Sequence, residues 1–128
     1  MDTNICIYFI KGKFALDRKF GKINPENCFI SEITLAELKF GVENSQRVAH
    51  NKKALDIFLS GIKILPIFHS IDFYAKEKAR LRQSGITVDD FDLLIGATAV
   101  TNGLVMVTNN FEHFKYIKGI ILEDWTKQ

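Results

Sequence analysis

The sequence predicts an α/β fold, a three-layer α/β/α sandwich with a central parallel sheet. Three observations point there. Short apolar runs alternate with longer stretches whose apolar residues recur at helical spacing, the order that pairs strands in parallel and lays helices on both faces. The short runs, such as Leu104-Val105-Met106-Val107, are apolar throughout rather than alternating, as strands covered on both sides are. A length of 128 residues suits one core and leaves no room for a second.

The elements follow in order. Residues 4–10 read as a short helix and 14–20 as another, with Lys13, Arg18, Lys19 and Lys22 around it. Residues 28–31 form a short strand that runs into a helix at 35–43. Over 48–59, Ala54, Leu55, Phe58 and Leu59 share one face, so this segment is helical. A strand at 63–67 is closed by Pro66, and a charged amphipathic helix at 73–83 stops at Gly85. The helix at 90–101 is apolar nearly all round and ends at Gly103, placed to take a left-handed cap. A strand at 104–108, a short helix at 111–116 and a last strand at 119–122 complete the chain. There is no internal repeat and no domain boundary.

Composition excludes several classes. The chain is 47% hydrophobic and 25% charged, with only two prolines, which argues against disorder. Its net charge of +2 declares no partner. Cys6 and Cys28 match no metal spacing and read as buried small hydrophobes in a reducing compartment. No basic leader stands before the first apolar run, and residues 5–10 and 93–100 fall well short of the ~20 needed to span a bilayer. A soluble, cytoplasmic protein with no membrane partner is expected.

The acids carry the chemistry. Asp89, Asp90 and Asp92 crowd the head of the most apolar helix, where one carboxylate suffices to cap and three repel one another. Glu37 has a structural role open to it, because Thr34-x-x-Glu37 has the form of a capping box. Asp2 has another, as the residue that starts the first helix. Glu37 nevertheless follows the strand at 28–31, and Asn110 follows the strand at 104–108 through Thr108 and Asn109. Asp2 would follow a strand if one preceded it. Hard oxygen donors gathered at one end of a sheet are what Mg²⁺ or Mn²⁺ requires.

Four segments together resemble VapC-type toxins of the PIN-domain ribonuclease family. They are Asp2-Thr3-Asn4-Ile5-Cys6-Ile7-Tyr8, Ser31-Glu32-Ile33-Thr34-Leu35-Ala36-Glu37-Leu38 with Gly41, Asp92-Leu93-Leu94-Ile95-Gly96-Ala97, and Val107-Thr108-Asn109-Asn110 with Phe114. The closing Glu123-Asp124-Trp125 looks like the family's ending. The resemblance covers essentially the whole chain as one PIN-like domain, 1–128. It implies an acidic pocket at the carboxyl edge of the sheet, with Asp2, Glu37 and Asp92 as metal-binding acids. The fourth position, aspartate in many PIN nucleases, falls on Asn110, a neutral amide that orients water or a ligand without adding charge. Glu112 lies nearby but reads better as a surface acid on a short helix.

The resemblance also implies a short central strand just before Asp2, where only Met1 stands here. On this reading the first strand is missing or truncated before Asp2, neighbouring backbone groups lose partners, and an α-amino charge sits beside the site.

The activity implied is that of a Mg²⁺- or Mn²⁺-dependent endoribonuclease, leaving a 5′-phosphate and a 3′-hydroxyl. Thr3, Thr108 and Asn110 would orient ligands or water. Basic residues (Lys11, Lys13, Arg18, Lys19 and Lys22, then Lys76, Lys78, Arg80 and Arg82) would bring RNA to the acids, although each also reads as part of a solvated helix face. The partners implied are a VapB-type antitoxin and a second copy of the chain. Phe9, Phe14, Phe20, Phe40 and Val42 are the apolar surface on offer. The alternative is a catalytically inactive PIN-like RNA- or protein-binding module, which the neutral Asn110 and the absent first strand favour. Cleavage that EDTA abolishes separates the two.

Overall fold

A computed structural model describes residues 1–22 and 27–127, the side chains of 20 and 21 excepted. Parallel strands lie between helices. The elements are α1 (Thr3–Ile10), α2 (Leu16–Gly21), β1 (Phe29–Ser31), α3 (Glu32–Glu43), α4 (Val48–Leu59), β2 (Lys63–Leu65), α5 (Ile71–Gln83), α6 (Asp90–Thr101), β3 (Met106–Val107), α7 (Phe111–Phe114) and β4 (Leu122–Glu123), with a 3-10 turn at Phe68–Ser70 before α5. The helices at 48–59 and 90–101 lie where the periodicity puts them.

The strands form two parallel pairs among the described residues. β1 pairs with β2, Ile30 opposite Ile64, and β3 pairs with β4, Met106 opposite Leu122. Each pair carries its own half of the core. Cys6, Ile30, Leu38, Leu55 and Phe58 bury the first half beneath α1, α3 and α4. Leu81, Leu93, Ile95, Met106, Phe114 and Ile117 bury the second between α5, α6 and α7. Burial of this order, about 1.5–3 kcal/mol per large apolar side chain, is what sets each strand pair against its helices.

Residues 1 and 2 lie where the halves meet. The Met1 amino group donates to the Phe29 carbonyl at 3.0 Å, and the Asp2 N–H donates to the Val107 carbonyl at 3.0 Å. Successive donors thus turn to opposite sides, as they do along a strand. Beside them a cleft of about 410 Å³ runs between β1 and β3, lined by Met1, Phe29, Ile30, Met106, Val107 and Trp125 among others.

Several boundaries differ from the sequence reading, each for a local reason. α2 begins at Leu16 rather than 14, because Phe14 and Ala15 take left-handed φ of 60° and 52°. The Phe14 ring packs edge-on against Tyr8, centroids 5.1 Å apart, which offsets part of that strain. α3 begins at Glu32, directly after β1, because Ser31 is its cap: the Ser31 hydroxyl accepts the Thr34 N–H at 3.1 Å. The Thr34–Glu37 capping box is therefore absent, since Thr34 already lies inside the helix. β4 begins at Leu122, not 119, because Gly119 has φ 82° and the Ile120 N–H closes a turn onto the Ile117 carbonyl. Buried Glu77 on α5 holds that turn, accepting the Lys118 N–H at 2.8 Å and the Arg80 guanidinium at 2.6 Å.

Of the proposed apolar surface, Phe14 and Phe40 are exposed, whereas Phe9 and Val42 pack against the first core. The side chain of Phe20 lies outside the described residues. Both cysteines are free and buried, and burial pushes the Cys6 thiol up to about 12. No helix among the described residues is long and apolar enough to cross a membrane.

Candidate active site

The candidate acids lie near helix starts: Asp2 caps α1, Glu37 stands in α3 directly after β1, and Asp92 is in the first turn of α6. Asp2 is 4% exposed and makes two bonds at once. As the α1 cap it accepts the Ile5 N–H on Oδ1 at 3.0 Å, and on Oδ2 it accepts the Thr108 hydroxyl just past β3. Thr108 in turn accepts the Asn110 N–H at 2.9 Å, which ties the start of α7 to Asp2. Helix start and buried site acid are thus one residue with two oxygens. Burial pushes the Asp2 carboxyl above its ordinary value. The Thr108 and Ile5 bonds and the nearby α-amino charge pull it back, and the Asp124 carboxylate adds to the rise.

Glu37 stands in the second turn of α3, half-buried, and accepts the Thr3 hydroxyl at 2.6 Å. Its partner is the residue next to Asp2, 34 positions away in sequence, so α1 and α3 are joined at the site.

The three acids of α6 divide their work. Asp89 is the cap and accepts the N–H groups of Phe91 and Asp92 at 3.1 and 3.4 Å. Asp90 turns outward to Lys78 at 2.7 Å and to the Tyr74 hydroxyl at 2.8 Å. Asp92 is left for the site, where its Oδ2 lies 3.1 Å from Nδ1 of His113 on α7. Burial raises its pKa foremost; His113 opposes the rise, and the carboxylates of Asp89 and Glu37 add to it. Repulsion from the neighbouring carboxylates contributes, but as a smaller cause than burial, because those charges act partly across solvent.

Asn110 caps α7 without a side-chain hydrogen bond to it. Glu112 is a surface acid, paired with Lys115 at 2.8 Å. On the basic helix α5, Lys78 pairs with Asp90 and Arg80 with Glu77.

The sequence reading missed two groups. His113 was invisible because nothing local links it to Asp92, 21 positions earlier. Asp124 stands just past β4 and shares the field of Asp2; an acid directly after a strand was the available signal. One further polar atom stands out: the Asn109 Oδ1 is buried and has no hydrogen-bond partner among the described residues.

The donor set suits a hard divalent cation. It comprises three carboxylates, and the hydrogen-bond donors on the most buried of them, a backbone N–H and a hydroxyl, are both neutral. Among the described residues no group of three or more His, Cys, Asp or Glu converges closely enough to hold an ion. Each acid instead gives an oxygen to a protein partner.

A family model described as PIN domain matches residues 1–119. Ribonuclease VapC2 of Rickettsia felis is 38% identical over 130 residues, spanning 99% of this chain and 97% of that protein. The tRNA(fMet)-specific endonuclease VapC of Shigella flexneri is 36% identical over 127 residues, 98% of this chain and 96% of that one. Among solved structures, VapBC2 from Rickettsia felis bound to a DNA fragment from their promoter superposes with a TM-score of 0.89 at 37% identity, covering 97% of this chain and 96% of that one. DNA-bound VapBC from Salmonella typhimurium gives a TM-score of 0.90 at 36% identity, covering 97% and 95%.

Proposed function

This chain belongs to the PIN-domain family as a VapC-type toxin, and from that membership we propose that it is a metal-dependent endoribonuclease acting through Asp2, Glu37, Asp92 and Asn110. One observation carries the assignment. The Glu37 charge, 55 positions away in sequence, adds to the rise in the Asp92 pKa, and Glu37 itself accepts the hydroxyl of Thr3, the residue next to Asp2. A purely structural acid at Asp92 gains nothing from facing a second carboxylate that raises its pKa.

The chain's own groups have defined work. Thr108 and the Ile5 N–H pin Asp2, so it is the rigid ligand. Glu37 and Asp92, half-buried and each holding one protein partner, would be the acids that turn toward a cation. The Asn110 amide holds water or a phosphate oxygen without adding charge. A bound Mg²⁺ or Mn²⁺ would polarise the scissile phosphate, activate a water and stabilise the charge that develops. RNA is the substrate class, and tRNA(fMet) belongs among the RNAs tried because a relative acts on it.

Cleavage of a mixed RNA pool with Mg²⁺, abolished by EDTA, is the expected result. Glu37→Gln sharpens the test. Glutamine keeps an oxygen for the Thr3 hydroxyl and loses the charge, so a near-native melting temperature with cleavage down about 10–100-fold is expected. Lower stability with normal cleavage would return Glu37 to a structural role. Metal-independent or absent cleavage by the unmodified chain would favour the RNA- or protein-binding alternative.

A VapB-type antitoxin and a homodimer complete the proposal, together with a cytoplasmic location. Solved relatives are VapBC complexes, and Phe40, 68% exposed on α3, with Ile57, 67% exposed on α4, presents apolar side chains in need of cover. Light scattering at micromolar concentration should give twice the chain mass; a monomer would count against the dimer.

A further inference from the structure

We propose that the elbow between α1 and α2 is a docking surface for single-stranded RNA, in which Phe14 stacks on a base while Lys11, Lys13 and Arg18 hold the flanking phosphates. The inference rests on the reading of RNA as the substrate class and deepens it.

The elbow is firmly set. Gly12, with φ 71°, ends α1, and the N–H groups of Gly12 and Lys13 close back onto the Phe9 and Tyr8 carbonyls at 3.0 and 2.8 Å. Leu16, 1% exposed, then roots the chain in one cluster with Ile5, Val107 and Trp125. Val107 precedes Thr108, which pins Asp2, so the elbow is anchored against the strand that leads into the candidate site. Helix α1, about 12 Å long, joins the two directly, with Thr3 at one end and Lys11 just past the other.

Core packing does not account for an aromatic ring at position 14. Phe14 belongs to none of the three core clusters among the described residues. Phe14 and Ala15 take φ of 60° and 52° in succession, a conformation that glycine would hold without strain. Strain of this kind clusters where a ligand is clamped. The ring is 47% exposed and meets Tyr8 edge-on, which leaves at least one of its faces clear of Tyr8.

Charge completes the surface. Lys11, Lys13 and Arg18 are exposed, and among the described residues none of them pairs with an acid. Asp17 is the one acid from residue 11 to residue 22. Cations that track a phosphate backbone, joined to an aromatic face that stacks a base of any identity, are the combination that holds single strands. A base inside a duplex is already stacked on both sides and offers the ring nothing. The rival occupant is an acidic peptide, which would use the cations without needing a stacking face.

Binding of a fluorescein-labelled uridine RNA about eight nucleotides long, read by fluorescence anisotropy in EDTA, tests the surface apart from cleavage. Phe14→Gly should weaken binding about 5–100-fold and leave its salt dependence unchanged, with the circular dichroism spectrum intact because glycine accepts this backbone. Phe14→Trp should bind as well as the unmodified chain. Three phosphate contacts set a slope of about −2 for log affinity against log salt concentration, and Lys13→Gln should reduce it by about 0.7. With iodouracil in the RNA, ultraviolet crosslinking should map to Phe14. Equal binding by Phe14→Gly, or a crosslink confined to other parts of the chain, would overturn the proposal. Polyglutamate of equal charge competing as well as the RNA does would also overturn it, in favour of an acidic peptide. So would a failure of the unmodified chain to bind the RNA, while EDTA-sensitive cleavage by the same preparation would leave the ribonuclease reading standing.

Discussion

Asp92→Asn is expected to lower RNA cleavage and Mg²⁺ binding by at least about 100-fold, beyond the 10–100-fold typical of groups that only orient a ligand. The fold should survive. Helix α6 is capped by Asp89, and Asp90 holds Lys78, so removing the Asp92 charge breaks neither contact. Asparagine keeps an oxygen within reach of His113.

The stability change has a definite sign. Burial raises the Asp92 pKa in the folded chain above its value of 3.8, so the native state holds this proton more tightly than the unfolded state does. Stability from this group is highest at low pH and is lost as pH rises from 3.8 through the raised folded value. The variant lacks that loss. It should therefore melt no lower than the unmodified chain at neutral pH, and its advantage should disappear below that window. An acid serving only the helix dipole behaves otherwise: its removal costs up to about 1 kcal/mol and leaves cleavage intact. Full activity in the variant, read beside its melting curve, would refute the assignment.

The second large effect concerns the cleft between β1 and β3. We propose that a short apolar strand joined ahead of Met1 fills it and merges the two strand pairs into one sheet. The walls of the cleft are largely apolar, and Met1 and Asp2 already bond one edge each. Extending the chain by four or five Leu- or Ile-rich residues should raise stability by at least about 3 kcal/mol, since each such side chain gives about 1.5–3 kcal/mol on burial. The melting temperature should rise by roughly 10 °C. Metal affinity should rise too, because the α-amino charge that now acts on Asp2 moves away. Proline at alternate positions of the added segment removes its N–H donors and should remove the gain. Equal melting temperatures for the extended and unextended chains would show that the cleft takes no strand.

Much of the fold was legible because it rests on short-range rules. Helix α6 lies where its apolar stretch and Gly103 put it, since capping and periodicity act within three or four residues. The start of α3 was misread for the same reason. Ser31 and Thr34 are both good caps, and what chose Ser31 was β1 delivering the chain straight into the helix. That choice released Glu37 from the cap and left its carboxylate for Thr3.

The sequence by itself determined the element order, the parallel pairing of strands and the acids that stand beyond strand ends. These depend on neighbours along the chain and on the period of apolar residues. Tertiary structure alone decided that Asp89 caps α6 while Asp90 meets Lys78, that Thr108 pins Asp2, and that His113 stands beside Asp92. The last two contacts span 106 and 21 positions. Their energies arise only when packed helices bring polar groups out of water and against one another, and no local pattern encodes which partner burial will supply.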